Sequence, residues 1–124
     1  MVNKQDYLNA VEQNIEMVRG DTLAFNFNLS GLGSRAEYEA LTIEFKAAYG
    51  IDDAPSVTAT TEEGGVTLED YNTATDTALF SVNIAPNKTK ALELSRLYYN
   101  LQIISDDNVI TLMRGRLSLV YEID

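Results

Sequence analysis

The sequence contains no cysteine, no histidine and no tryptophan. Without cysteine and histidine, the chain has no thiol nucleophile, no Ser-His-Asp triad and no zinc site of the usual ligand types. It has no disulfide framework, so composition gives no information about the redox compartment. The longest apolar runs are only a few residues, far short of the ~20 that a membrane-spanning helix needs. These absences exclude several classes of enzyme and the usual membrane helix.

Positive charge is also scarce, because 9 Lys and Arg stand against 19 Asp and Glu and give a net charge of -10. Such an acidic chain repels phosphate backbones, which argues against a nucleic-acid partner. The first six residues, Met-Val-Asn-Lys-Gln-Asp, lack the apolar stretch of a signal peptide. With 124 residues and 45% hydrophobic residues, the chain is expected to fold as one domain.

Alternation of apolar and polar residues is the dominant pattern and predicts β-strands. Residues 22–29 show it most clearly, with Leu23, Phe25, Phe27 and Leu29 on one side. Comparable segments lie at 14–18, 41–49, 56–61, 66–68, 79–84, 96–105 and 109–123, the last interrupted by Gly115, where we expect a bulge or bend. Residues 69–77 are polar and predict a loop. About seven or eight short strands separated by turns predict an all-β sandwich or barrel, and the pattern does not fix the strand order that would separate the two.

Two segments are predicted to be helical. One is a short turn that begins at Pro86. The other lies within residues 1–13, which precede the sandwich domain of residues 14–124 and carry Tyr7, Leu8 and Val11 at i, i+1 and i+4. We interpret 1–13 either as an arm that packs its apolar side chains on a neighbouring subunit or as a short helix that covers one end of its own sandwich. Tyr98, predicted on the outer side of its strand, is a further candidate for partner contact.

Acidic clusters are the remaining candidates for chemistry. Asp52-Asp53 and Asp106-Asp107-Asn108 are rich in oxygen ligands but lack the spacing of a calcium loop, so turns on a solvated surface are the better interpretation. A pair drawn from Glu62-Glu63 and Glu69-Asp70 is the one hydrolytic arrangement that the composition permits. Because these carboxylates flank a Gly-Gly turn, a charged rim is the better interpretation. We therefore predict no catalytic residue, no metal site and no cofactor.

The order of signals resembles that of small immunoglobulin-like domains in structural proteins of tailed bacteriophages, especially the N-terminal domain of baseplate upper proteins. The resemblance lies in the segment at 15–27 with its Gly-Asp-Thr turn, the strands at 41–46 and 65–68, and the helical turn near 86–92. It continues in the Leu-Tyr-Tyr-Asn-Leu-Gln-Ile strand at 97–103 and the Gly-Arg-Leu-Ser-Leu segment at 115–119. These family domains usually begin a longer chain, and residues 1–13 have no obvious counterpart in them.

The resemblance implies a single immunoglobulin-like antiparallel β-sandwich. It also implies a structural virion component, made in the cytoplasm of the bacterial host and incorporated into the particle. Its role would be protein–protein attachment, as a baseplate or tail adaptor or as a capsid decoration. The expected partners are other virion proteins, or further copies of the chain in a homo-oligomer, with no membrane and no nucleic acid. The alternative is a carbohydrate-binding β-sandwich module whose sugar-stacking rings would come from Tyr38, Tyr49, Tyr71 and Tyr98.

Overall fold

The computed structural model describes residues 11–50, 53–90, 92, 96–105 and 108–120, which form two β-sheets and two short helices. The strands are β1 (Val11–Glu12), β2 (Ile15–Val18), β3 (Leu23–Ser30), β4 (Thr42–Ala48), β5 (Val57–Thr60), β6 (Val66–Asn72), β7 (Thr77–Ile84), β8 (Arg96–Ile104) and β9 (Val109–Val120). The helices are α1 (Arg35–Glu39) and α2 (Pro86–Lys90). No helix in these described ranges is long and apolar enough to cross a membrane.

The strand order identifies the architecture. The larger sheet has the order β1-β9-β8-β4-β5, with β2 also paired to β9, and the smaller sheet has the order β3-β7-β6. In immunoglobulin terms β3, β7 and β6 correspond to strands B, E and D, while β9, β8, β4 and β5 correspond to G, F, C and C′. The predicted single immunoglobulin-like sandwich is therefore confirmed. Because β1 and β2 keep one register along β9, they form one interrupted strand and bring the total to eight.

One pairing departs from the antiparallel prediction. β1 and β2 run parallel to β9, whereas the other pairs in the two sheets are antiparallel. The reason is topological, since the chain crosses from β2 in the larger sheet to β3 in the smaller sheet at residues 19–22 rather than turning back within one sheet.

Aromatic side chains join the two sheets in place of the disulfide and tryptophan of antibody domains. Phe45 in β4 is 0% exposed, and its ring centroid lies 5.8 Å from that of Phe25 in the opposite sheet. The Phe45 ring also stacks on Tyr99 of the neighbouring strand at 5.5 Å. Within the smaller sheet, Phe27 stacks on Phe80 at 5.4 Å. Burial of rings of this size supplies much of the driving force for packing the two layers together.

Three local predictions from the sequence are wrong. Residues 35–39 form α1, which had no sequence signal because five residues are too few for a helical repeat; burial of Tyr38 stabilises this turn instead. The predicted loop at 69–77 is partly strand, since β6 continues to Asn72 beyond a bulge between Leu68 and Asp70 that breaks the alternation. The irregularity expected at Gly115 lies instead at residues 111–113, where β9 has one residue more than β8 between paired positions.

A buried tyrosine and an aspartate join two loops at one end of the sandwich. Asp76 accepts hydrogen bonds from the backbone N–H groups of Gly31 and Gly33 at 3.1 and 2.9 Å, and from the hydroxyls of Tyr38 and Tyr71 at 3.1 and 2.9 Å. Desolvation alone would raise the pKa of Asp76, but these hydrogen bonds to its charged form lower it below its usual value. The cluster fixes the loop after β3 against the β6–β7 hairpin, so its role is structural.

Candidate interaction face on the larger sheet

The outer side of the larger sheet collects basic and aromatic side chains. Alternation in β8 buries Leu97, Tyr99 and Leu101, so the residues between them point away from the core. The same alternation applies to β4 and to β9 beyond its bulge. We call the resulting surface the basic face and define it by these residues: Lys46, Arg96, Tyr98, Asn100, Arg114 and Arg116.

Strand register places the members of the basic face side by side. Lys46 of β4, Asn100 of β8 and Arg114 of β9 are paired in one row across three strands. In the next row, Tyr98 is paired with Arg116. Side chains directly opposite each other on neighbouring strands are about 5 Å apart at Cβ. The basic face therefore holds four of the chain's 9 basic residues on one surface of a molecule whose net charge is -10.

Carboxylates offset part of this positive charge, because Glu44, Glu12 and Asp53 lie on or beside the same surface. Lys46 lies 3.7 Å from Glu44 on its own strand. Within the described ranges, the guanidinium groups of Arg96, Arg114 and Arg116 make no hydrogen bond or ion pair. Arginine side chains without internal partners present planar donor groups that suit carboxylates on another molecule.

Tyr98 is the exposed aromatic residue at the centre of the basic face. Tyr98 is 42% exposed, whereas the other aromatic residues of the described ranges are buried or half-buried. A depression of about 670 Å³ lies on the β9 side of Tyr98 and is bordered by Arg114, Arg116 and Thr111. A second depression, of about 260 Å³, lies on its β4 side and includes Lys46. The ring thus stands between two concavities, an arrangement that can anchor a partner side chain on either side.

Asn100 lies in the middle of the row between Lys46 and Arg114 and is half-buried. Its Oδ1 atom is buried and has no hydrogen-bond partner among the described residues. Buried acceptors are normally paired, but this oxygen has almost no contact with solvent, so it offers no acceptor to a partner that covers the face.

The N-terminal strands support the basic face at its β9 edge. The backbone N–H of Gln13 donates to the carbonyl of Arg114 at 2.9 Å, and the carbonyl of Gln13 accepts from the buried hydroxyl of Tyr99. Asn14 Oδ1 accepts from the backbone N–H of Arg116 at 3.0 Å. Gly115 allows this approach, because a Cβ there would lie 2.2 Å from the Gln13 carbonyl oxygen. The backbone that carries the two arginines is therefore held on both sides.

The residues that sequence analysis proposed for partner contact are only partly brought together. Tyr98 is exposed as predicted. Val11 lies in β1, paired with Met113 of β9, and the structure has a strand rather than a helix at Val11–Glu12. Tyr7 and Leu8 lie outside the described residues, so their proposed contacts stay predictions.

The tyrosines proposed for sugar stacking divide in a similar way. Tyr38 is 1% exposed, so its proposed stacking role is wrong: the unpredicted helix α1 buries it. Tyr71 and Tyr49 are half-buried, and the hydroxyl of Tyr71 is committed to Asp76. Tyr98 is the member of the four that presents a largely free ring.

The acidic clusters divide into three groups: Glu69 has side-chain partners; Asp53, Glu62 and Glu63 are exposed; and others lie outside the described residues. Glu69 accepts hydrogen bonds from Thr67 and Ser81, both at 2.7 Å, and these bonds lower the pKa of its carboxyl. Asp52, Asp106 and Asp107 fall outside the described residues. Among the residues that are described, no group of three or more His, Cys, Asp or Glu side chains is arranged to hold a metal ion.

Sequence reasoning missed the three arginines of the basic face. Each alternates with an apolar residue in a predicted strand, so their shared outward orientation was available from the pattern. The turn residues at 106–108 predict that β8 and β9 form a hairpin, and this pairing is confirmed. What the sequence does not provide is the pairing of β8 with β4, which brings Lys46 into the same surface.

Comparison with known proteins gives little beyond the fold. No family model matches the chain, and no curated protein matches it. Among solved structures, the chain is similar to the extracellular fragment, including the stalk region, of novel immune-type receptor 11 from Ictalurus punctatus. The two are 12% identical, the match covers 94% of this chain and 89% of that chain, and the TM-score is 0.42.

Proposed function

We propose that the protein is a non-enzymatic attachment domain that binds another protein through the basic face. The observation that carries this proposal is the set of three arginine side chains without internal partners around the exposed ring of Tyr98. Arginine and tyrosine are the residue types that contribute most at protein interfaces. The function is thus recognition, with no chemical step and no cofactor.

The charge distribution defines the partner. A surface with four basic side chains on a chain of net charge -10 is complementary to an acidic protein surface, with carboxylates that meet the arginines as planar, two-point acceptors. A nucleic acid would also be attracted to the arginines, but it would experience repulsion from the rest of the chain. We therefore expect an acidic protein partner.

We further propose that this partner is a component of a tailed bacteriophage particle and that the chain is incorporated into the virion. The support for this step is the order of strands and turns in the sequence, which resembles that of small structural domains of such phages. The attachment point would lie on the baseplate, the tail or the capsid. The chain would contribute structure there and would catalyse no reaction.

The test uses particles purified on a density gradient from the host whose genome encodes the chain. An antibody against the purified protein first shows whether the chain sediments with the particles. Particles produced without the chain are then incubated with purified protein, either wild type or with Arg114→Glu and Arg116→Glu combined. The control combines Lys88→Glu and Lys90→Glu, which makes the same change of net charge on exposed residues of α2.

We expect the control to bind like the wild type and the arginine variant to bind about tenfold or more weakly, the scale of losing charged contacts at an interface. Equal binding by both variants would contradict the use of the basic face. Absence of the chain from purified particles would contradict the virion role and leave the attachment proposal to be tested with another acidic partner.

Carbohydrate binding is the second candidate, and the exposed ring of Tyr98 between two depressions favours it. A sugar would stack on this ring and receive hydrogen bonds from neighbouring polar side chains. A glycan array separates the two functions, since reproducible binding that Tyr98→Ala abolishes would establish the carbohydrate function. A negative array together with arginine-dependent protein binding would establish attachment.

A further inference from the structure

The four edges of the two sheets are not equally protected against pairing with another strand. Within the described residues, the larger sheet ends at β1 and β2 on one side and at β5 on the other, and the smaller sheet ends at β3 and β6. Natural sheets protect their edges with short strands, bulges, prolines and charged side chains. Three of the four edges in this sandwich use such devices.

The three protected edges differ in how they avoid pairing. β5 is only four residues long. β6 contains the bulge next to Glu69 and places Glu69 and Asp70 at the edge. The β1–β2 edge is interrupted between its two strands and carries Glu12 and Glu16. Each of these features makes addition of a further strand unfavourable.

β3 has none of these devices. Its eight residues, Leu-Ala-Phe-Asn-Phe-Asn-Leu-Ser, pair with β7 in an unbroken register and include no charged residue and no proline. Its outer side chains, those of Ala24, Asn26, Asn28 and Ser30, are exposed. Its inner side chains include Phe25 and Phe27, which are only half-buried although they pack against the core. β3 is thus a long, unbroken and uncharged edge on a chain that is otherwise strongly acidic.

We propose that β3 pairs antiparallel with β3 of a second copy of this chain, so that two smaller sheets become one continuous six-stranded sheet. The arrangement has twofold symmetry, so residue i of one β3 faces residue j of the other and j faces i. In a register that keeps the inner sides aligned, the uncharged outer side chains of Ala24, Asn26, Asn28 and Ser30 face one another across the two strands. Asparagine and serine tolerate such like-with-like contact because each has both a donor and an acceptor. Carboxylates or ammonium groups in those positions would repel their symmetry mates.

Net charge points to this edge rather than another. Two copies, each with a charge of -10, repel one another at any surface that carries carboxylates. Among the four edges, only β3 and β5 have no carboxylate on the strand itself, and β3 has eight residues whereas β5 has four. Pairing there also covers the half-exposed rings of Phe25 and Phe27. The proposal is independent of the basic face, which lies on the other sheet.

The experiment combines light scattering with amide hydrogen exchange on the full chain over a range of concentrations. We expect the molar mass to approach twice the 13.7 kDa of one chain and amides in Leu23–Ser30 to become more protected as dimer forms. Asn26→Lys places a charge in the middle of the edge and is expected to weaken dimerisation about tenfold or more. Asn83→Lys is the matched control, because Asn83 is exposed on the same face of the same sheet but on the central strand β7.

Circular dichroism confirms that both variants fold before their masses are compared. A monomer at every concentration would overturn the proposal. So would a dimer that Asn26→Lys leaves intact, because another surface would then form it. Protection of the β3 amides that does not change with concentration, in a protein that stays monomeric, would mean that the same chain covers the edge. A molar mass that rises beyond that of a dimer would mean that the contact does not close with twofold symmetry. Either result overturns the proposal.

Discussion

The close approach of Gln13 to Gly115 predicts that Gly115→Ala is strongly destabilising, although it adds one methyl group. A Cβ at residue 115 would lie 2.2 Å from the Gln13 carbonyl oxygen and 2.8 Å from its carbonyl carbon. Ordinary van der Waals contact begins at 3.4 Å, so the two backbones must separate by 3.4 − 2.2 = 1.2 Å. The atom in contact belongs to the backbone and cannot rotate away as a side chain would.

This separation removes the two hydrogen bonds that hold Gln13 in place. Its N–H bond to Arg114, 2.9 Å long, would stretch beyond hydrogen-bonding distance, and the buried Tyr99 hydroxyl would lose its acceptor. Losing the N–H bond of Gln13 costs on the order of 1 kcal/mol, and leaving the buried Tyr99 hydroxyl without its acceptor costs about 1–3 kcal/mol. We therefore expect Gly115→Ala to lower the free energy of unfolding by about 2–4 kcal/mol.

Urea unfolding followed by tyrosine fluorescence or circular dichroism measures this loss, with the neighbouring exposed substitution Arg116→Ala as the control. Tyr99→Phe removes the hydroxyl alone, and the double variant completes a thermodynamic cycle. Because both changes act on the same carbonyl, their effects should not add: the second substitution should cost clearly less in the presence of the first. A loss below about 1 kcal/mol for Gly115→Ala, or strict additivity in the cycle, would refute this explanation of the glycine.

Two further predictions concern the core and the loop cluster. Phe45→Ala removes a fully buried ring that contacts Phe25 and Tyr99, so denaturant unfolding should show a loss of about 3–5 kcal/mol; a loss comparable to that of an exposed substitution would contradict its place between the sheets. The pKa of Asp76 is lower in the folded state than its usual value of 3.8. The stabilisation by the charged form is therefore complete above pH 3.8 and is lost as the pH falls through the lowered pKa of the folded state. Urea midpoints measured downward from about pH 5 should therefore fall more steeply for the wild type than for Asp76→Asn, and parallel curves would show that the hydrogen bonds do not favour the charged form.

The strands were predictable from the sequence because their side chains alternate between core and solvent. The alternation at 22–29, for example, predicted both the position of β3 and which of its side chains face the core, and the alternation at 96–105 predicted β8 in the same way. A half-buried strand imposes a period of two on its residues, and that period is visible without any tertiary information.

What the sequence could not provide depends on contacts between distant residues. α1 forms because Tyr38 is buried against Tyr71 and bonded to Asp76, 38 positions away. The end of β6 was hidden because its bulge reverses the alternation. The basic face also needs the pairing of β8 with β4, two strands that are far apart in the chain, and a list of strands does not contain that pairing.

The two proposed contacts respond to salt in opposite directions, because charge acts on them with opposite sign. Attraction between the basic face and an acidic partner is screened as ionic strength rises, so that binding weakens. The β3 edge carries no charge, and its pairing brings together two chains of net charge -10; screening removes this repulsion and strengthens the dimer. Between about 50 mM and 500 mM sodium chloride, the dissociation constant of the basic face and its partner should therefore rise, and that of the β3 dimer should fall. A dimer that weakens with salt would require ion pairs across its interface, and the uncharged strand β3 has none to offer.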